Sequence, residues 1–127
     1  MKKTLLHSHT IWEDIVGYSR AVKVGNLVFV AGTTAMNEST LVGKDDVYLQ
    51  TQFILQKIGR SLEQLGSCLE EVVQTRIYVV DIQQWEAVAK AHREVFEHIR
   101  PVCTMVEVKA LAGHELLVEI EAMAIMG

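Results

Sequence analysis

The stretch Val72–Val108, with the sequence VVQTRIYVVDIQQWEAVAKAHREVFEHIRPVCTMVEV, carries the clearest fold signal in the chain. Its first part, residues 72–80, is rich in β-branched side chains and predicts a strand. Apolar residues then recur at helical spacing over 82–99, and Pro101 ends that helix because proline disfavours helix at the residue before it. Residues 102–108 predict another strand. Such a strand–helix–strand unit can join two parallel strands by a right-handed crossover.

The flanking sequence predicts three more strands and one more helix. Tyr18–Val24 and Leu27–Ala31 flank Gly25-Asn26, a pair that tolerates the positive φ of a tight turn, so they predict a hairpin. Apolar residues over 47–65 recur at spacings that match one face of a helix, and Asp45 or Asp46 can cap it. The last predicted strand is 116–125.

The predicted order is therefore ββαβαββ, which indicates an α+β fold with two helices on one face of a mixed sheet. The chain has 127 residues and a single proline, with no repeat or Gly/Ser-rich linker. We therefore expect residues 1–127 to form one domain.

Composition narrows the classes of partner. Hydrophobic residues make up 50% of the chain, the net charge is −4, and no basic stripe is present, so a nucleic-acid partner is not favoured. No stretch approaches the roughly 20 apolar residues that cross a bilayer. We expect no membrane partner, a cytoplasmic location, and small-molecule or protein partners. Cys68 and Cys103 lack C-x-x-C spacing and are expected to be free, buried thiols.

Strand alternation indicates a sheet with two different faces. The last strand places Val118, Ile120, Ala122 and Ala124 on one apolar face. The other face of that strand, and one face of the strand at 72–80, mixes apolar and charged residues. Two helices cover one side of a sheet, so burial of the mixed side against other copies of the chain would explain its composition. The alternative is an ordinary solvent-facing sheet. The mixed-face residues are Leu117, Glu119, Glu121 and Met123 in the last strand, and Val72, Gln74, Arg76, Tyr78 and Val80 in the other.

Several side chains are candidates for chemistry. Glu119 and Glu121 share the mixed face, where a carboxylate can hold a water or act as a general base; the alternative is a surface pair, or a partner for Arg76 or Lys109. Cys103, at a strand start, is either a nucleophile or structural. Tyr18 and Arg20 could bind an anionic or planar ligand, or be a packed tyrosine beside a surface arginine.

The remaining motif classes are not found. The five histidines have no metal-ligand spacing on a common element, so no metal site is expected. No phosphate-binding loop, dinucleotide fingerprint or G-x-S-x-G motif occurs.

Several segments resemble the RidA/YjgF family, also called the endoribonuclease L-PSP-like family, and together they cover nearly the whole chain in the right order. The opening resemblance lies in Gly17-Tyr18-Ser19-Arg20-Ala21-Val22 and Val24–Gly32. The middle lies in Arg76–Asp81 and Trp85. The closing resemblance lies in Arg100-Pro101, Met105–Val108 and Leu117–Ala122.

The resemblance implies a chorismate-mutase-like α+β fold and a homotrimer. In that trimer the sheets line a central barrel, and three ligand clefts lie between subunits. It also implies chemistry: the family's deaminase members hydrolyse reactive enamines and imines to a keto acid and ammonia, with no metal or cofactor.

The resemblance can be carried to individual residues. Deaminase members clamp the substrate carboxylate with an arginine in a Pro-x-Arg-Ser/Thr motif, and here Cys103 occupies the arginine position in Pro101-Val102-Cys103-Thr104. Met105 stands where those enzymes often have a cysteine. Ala89 and His92 fall where asparagine and tyrosine are frequent. The chain therefore resembles a divergent subgroup that lacks the deaminase arginine.

The predicted site has one catalytic residue, Glu119, which matches the glutamate thought to orient the attacking water. Three functions stay open: hydrolysis of an imine, enamine or related C–N bond, non-catalytic ligand binding on the same scaffold, and, less favoured, ribonuclease activity. The predicted ligand-binding residues are Tyr18, Arg20, Gly32, Thr33, Cys103 and Met105.

Overall fold

The computed structural model describes every residue from Met1 to Gly127. It contains eight strands and three α-helices, with single 3₁₀ turns at Leu69–Glu71 and Ile82–Gln84. The strands are β1 (Lys3–Leu6), β2 (Ala21–Val24), β3 (Leu27–Thr33), β4 (Met36–Asn37), β5 (Thr40–Leu41), β6 (Val72–Val79), β7 (Val102–Glu107) and β8 (Val118–Ile125). The helices are α1 (Ile11–Val16), α2 (Val47–Gln64) and α3 (Trp85–Phe96).

Six strands form one mixed sheet in the order β1-β2-β3-β8-β6-β7. Only β6 and β7, the strands joined through α3, run parallel, as the crossover unit predicts. The remaining neighbours are antiparallel. The predicted ββαβαββ order is confirmed for β2, β3, α2, β6, α3, β7 and β8, and the α+β class is confirmed with it.

The core lies between one face of this sheet and the two long helices. Asp46 caps α2 by accepting a hydrogen bond from the Leu49 amide at 3.0 Å, as the sequence predicts. The predicted apolar face of β8, from Val118 to Ala124, is buried, which confirms that this face packs against helices. On α2, four apolar side chains are fully buried: Ile54, Leu55, Ile58 and Leu62. None of the helices combines the length and the apolar character needed to cross a membrane.

The N-terminal elements and one bulge were not predicted from the sequence. β1 is short and mostly exposed, and it forms because it pairs with the edge of β2 from Lys3↔Val24 to Leu6↔Ala21. Val72 was assigned to the mixed face by strict alternation, which is wrong. A register shift between Val72 and Gln74 turns its side chain into the core, where it is 3% exposed.

The other face of the sheet, which we call the open face, is half-buried or exposed in the protomer. Phe29 is 44% exposed there, and Glu119, Glu121 and Met123 of β8 are partly exposed. The mixed composition predicted for this face is therefore present.

Candidate functional site

A cleft on the open face brings two carboxylates and a tyrosine together. Strand register sets Glu119 beside Tyr78 and Glu121 beside Arg76. The cleft has a volume of about 310 Å³, and the loop after β7 supplies apolar side chains to its wall. Its lining residues are Gly32, Tyr78, Val108, Ala110, Leu111, Glu119 and Glu121.

Gly32 lies against the Glu119 carboxylate because β3 bulges at this point. Val30 pairs with Ala122 and Thr33 pairs with Ile120, so β3 has one extra residue between these pairs. A Cβ added to Gly32 would overlap Oε2 of Glu119. Only glycine therefore lets the carboxylate rest over the main chain here.

Arg20 lies under the same bulge and is only 7% exposed. Its Nη2 donates a hydrogen bond of 2.5 Å to the Gly32 carbonyl oxygen, while its Nε is buried without a partner. Its main chain continues the sheet, because its amide donates to Leu6 and its carbonyl accepts from Ala31. The sequence predicts Arg20 as a ligand-binding residue; in the structure it is buried, bound to the Gly32 carbonyl, and not among the residues that line the cleft of the protomer.

The two carboxylates of the cleft differ in their partners. Tyr78 donates its hydroxyl hydrogen to Glu121, and this bond raises the pKa of Tyr78. Glu119 accepts no hydrogen bond from the protein. Burial raises the pKa of Glu119, Arg20 opposes that rise, and the neighbouring Glu121 adds to it. Glu119 is therefore the carboxylate that is free to hold a water or a ligand proton.

Tyr18 and Thr33 flank the Arg20–Gly32 contact. Tyr18 is half-buried and follows α1, and its amide donates to the Glu13 carbonyl at 3.1 Å. Thr33 is 1% exposed, and its hydroxyl donates to the Ala31 carbonyl at 2.8 Å. Thr33 lies on the core face, in register with Ile120, so its hydroxyl stabilises the bulge from behind.

Cys103 and Met105 lie on the other side of the sheet from Glu119. They are in register with Thr75 and Ile77, whose side chains face the helices. Met105 packs against the core, whereas Cys103 is exposed. One protomer therefore brings Gly32 and Arg20 close to Glu119, and Tyr18 close to Arg20, whereas Thr33, Cys103 and Met105 lie on the opposite face of the sheet.

The cysteines are free thiols, as predicted, although neither is fully buried in the protomer. His92 comes close to the Cys103 strand, because its Nε2 lies 2.9 Å from Oγ1 of Thr75. Burial lowers the pKa of His92. No group of three or more His, Cys, Asp or Glu side chains is arranged to hold a metal ion.

Sequence reasoning missed two contributors to the site. Tyr78 was placed on the mixed face but not in the cleft, and strand register with Glu119 is the signal that would have placed it. Glu13 of α1 is 5% exposed, accepts hydrogen bonds from Ser8 and Thr10, and lies close enough to Arg20 to act on its charge. No sequence pattern signals a buried glutamate in a short helix.

Comparison with known proteins extends the resemblance. The family model described as Endoribonuclease L-PSP matches residues 10–126. A Mycobacterium tuberculosis protein, described as a member of the highly conserved YjgF/YER057c/UK114 family, has a crystal structure that superposes with a TM-score of 0.90. It is 47% identical in sequence, over 98% of this chain and 100% of that one.

Curated relatives agree with that match. A RutC family protein of Pyrococcus abyssi is 32% identical over 98% of this chain and 98% of its own length. An uncharacterized protein of Streptomyces coelicolor is 34% identical over 96% of this chain and 91% of its own. The chain therefore belongs to the endoribonuclease L-PSP family, the RidA/YjgF family that its strand motifs resemble.

Proposed function

We propose that the protein binds a small metabolite in the Glu119 cleft and hydrolyses an imine, an enamine or a related C–N bond. One observation carries the proposal. Glu119 is a partly buried carboxylate with no hydrogen-bond partner in the protein, in a cleft of about 310 Å³. A carboxylate in this state can accept a proton from a water molecule bound in the cleft.

The proposed reaction needs no redox step. Glu119 accepts a proton from a water molecule while the water oxygen bonds to the C=N carbon and the C=N π electrons move to nitrogen. The proton passes from Glu119 to nitrogen and gives a carbinolamine. Glu119 then takes the hydroxyl proton and delivers it to the same nitrogen, so that the C–N bond breaks, ammonia leaves and the oxygen forms C=O. An imine and one water give one carbonyl compound and one ammonia. A carboxylate whose pKa is raised toward neutrality suits both proton transfers.

The proposal includes assembly into a homotrimer, and two observations support it. The open face exposes apolar side chains of β3 and β7, with Phe29 at 44%, Val102 at 65% and Val106 at 42%. The predicted ligand-binding residues Cys103 and Met105 lie on the opposite face from Glu119, so a cleft that uses both sets needs a second copy of the chain. The cytoplasmic location expected from the sequence stays a prediction.

Non-catalytic ligand binding is the second candidate, favoured by one observation. Cys103 stands where the resemblance places the carboxylate-clamping arginine, and this position carries no cation. A ribonuclease, as the family model's description suggests, is less favoured because the net charge is −4 and a phosphate backbone attracts basic surfaces.

One screen separates the three functions. Imines are generated in place from a panel of amino acids and amines, with and without a carboxylate, and carbonyl product and ammonia are measured together. We expect turnover to be fastest on substrates that lack a carboxylate at the position clamped by the missing arginine. Thermal stabilisation by a panel member without product would favour the binding protein, and salt-dependent RNA cleavage would favour the ribonuclease.

A further inference from the structure

Arg20 and Glu119 touch the same glycine from two directions. The Gly32 carbonyl oxygen accepts a hydrogen bond from Nη2 of Arg20, while the Gly32 Cα lies against the Glu119 carboxylate. Gly32 belongs to the bulge of β3, where the sheet ladder is interrupted and does not by itself hold the peptide in place. The hydrogen bond from Arg20 therefore adds a restraint on the orientation of the Gly32 peptide.

The charge of Arg20 is buried and unpaired. It makes no ion pair within 4.0 Å, and its Nε has no partner. Burial lowers the pKa of Arg20, and nearby Tyr18, Glu13 and Glu119 partly compensate by favouring its charged form. A buried guanidinium without an ion-pair partner is costly, so its position calls for a function.

We infer that Arg20 is a positioning residue for Glu119. Through the Gly32 carbonyl it holds the bulge on which the carboxylate rests, and its positive charge favours the ionised carboxylate. This inference rests on the proposed function, in which Glu119 activates water. It assigns Arg20 a role that acts through Gly32 rather than a contact with the ligand.

Among the charged side chains around Glu119, only Arg20 favours its ionised form. Glu121, from the same strand, opposes ionisation of Glu119, and the Tyr78 hydroxyl is bound to Glu121. Arg76 lies beside Glu121 in register and is exposed. The loop after β7 contributes only apolar residues to the cleft. Behind the bulge, Glu13 is held by Ser8 and Thr10, and Lys57 of α2 donates to the Met36 carbonyl.

The test is a carboxyl ¹³C NMR titration of Glu119 in the wild type, Arg20→Gln, Arg20→Lys and the exposed control Arg76→Gln. We expect the Glu119 midpoint to rise by about half a pH unit or more in Arg20→Gln, because an attractive charge is lost. It should rise less in Arg20→Lys, which keeps the charge, and stay unchanged in Arg76→Gln. An unchanged midpoint in folded Arg20→Gln would overturn the inference.

A second measurement covers the case in which the Arg20 variants do not fold. In Glu119→Gln protein, the ¹⁵Nε resonance of Arg20 is expected to move, since the carboxylate acting on it is gone. No movement would contradict the inference.

Sodium acetate is the probe for the competing role, in which Arg20 binds a ligand carboxylate. Three results together would make Arg20 a ligand-binding residue and overturn the inference: the Arg20 signal moves on adding acetate, Arg20→Gln no longer binds acetate, and the Glu119 midpoint is the same in wild type and Arg20→Gln.

The two proposals fail in different ways. If the titrations behave as expected but no imine is hydrolysed, the coupling of Arg20 to Glu119 holds and the proposed activity is wrong. If imines are hydrolysed and the Glu119 titration midpoint is the same in wild type and Arg20→Gln, the activity holds and the role of Arg20 is wrong. With both correct, the low-pH limb of the rate profile shifts to higher pH in Arg20→Gln.

Discussion

At the scale of single residues, the site depends on close contacts that the sequence expresses only in part. The sequence identifies Glu119, Gly32 and Arg20 as site residues, two of them from the family resemblance. It does not reveal that Gly32 separates the other two, because a β-bulge of one residue leaves no pattern in the sequence. The same bulge turns Thr33 to the core face and away from the cleft.

Replacing Gly32 tests the contact directly. Gly32→Ala would place a methyl group on Oε2 of Glu119, so either the carboxylate or the strand must move. The carboxylate is the far end of a flexible side chain and can turn away, so we expect a loss of stability smaller than the about 1–3 kcal/mol that overpacking a rigid site costs, measured by urea denaturation. Glu119→Ala removes the overlapping atoms, so the cost of Gly32→Ala should shrink in the double variant. An equal cost in both backgrounds would contradict the contact.

The raised pKa of Glu119 has a consequence for stability. The folded protein holds this proton at higher pH than the unfolded chain, so stability falls as pH rises from the ordinary carboxyl pKa through the raised one. The loss of folding stability that comes from ionising Glu119 is absent below that pH window and complete above it. Glu119→Gln should therefore gain stability relative to wild type at about pH 7 and show no such gain at about pH 4. Denaturation curves at the two pH values check this, and an equal effect at both would contradict it.

At the scale of elements, long patterned segments were predicted well and short ones were not. The helix predicted over 47–65 is α2, Val47–Gln64, because its apolar spacing and its Asp46 cap are local signals. The helix predicted over 82–99 begins with a 3₁₀ turn capped by Asp81, and α3 itself spans Trp85–Phe96. β1 and α1 are too short for periodicity, and they form through tertiary contacts.

The side chain of Gln50 on α2 forms hydrogen bonds to main-chain groups of two loop segments, one before α2 and one before β8. Its Nε2 donates to the carbonyl oxygens of Gly43 and Glu115, each at 3.1 Å, and its Oε1 accepts from the Leu117 amide at 2.9 Å. Gln50→Leu would leave these partly buried main-chain groups without their partner. We expect it to cost about 3 kcal/mol by urea denaturation, at about 1 kcal/mol for each bond. The exposed Gln56→Leu on the same helix should cost far less, and equal costs would show that these bonds do not stabilise the fold.

At the scale of the whole molecule, the sequence predicts a sheet with one face left for other copies of the chain. The structure confirms the two-faced sheet, and assembly stays a prediction. The sequence could not show that Cys103 and Met105 lie opposite Glu119, because that depends on the register of the parallel pair β6–β7. Because of this register, one protomer cannot bring Cys103 and Met105 to its own Glu119. In the proposed trimer, a second copy of the chain would supply them.

Light scattering after size exclusion tests assembly. We expect a mass about three times the 14.3 kDa of the chain. Phe29→Glu should lower it, because a charge on the open face opposes burial there. Leu49→Glu is the matched control, since Leu49 is 42% exposed on α2, away from the open face, and Phe29 is 44% exposed. A monomeric wild type, or dissociation by both variants alike, would contradict the trimer.

The central claim is that Glu119 activates the attacking water, and the rate of carbonyl product from the best imine of the panel tests it most directly. Glu119→Gln keeps the size of the side chain but removes the base, so the account predicts a rate at least about 100-fold below wild type, the lower end of what a general base contributes. The exposed Glu63→Gln on α2 should keep the wild-type rate. Full activity in Glu119→Gln would contradict the account.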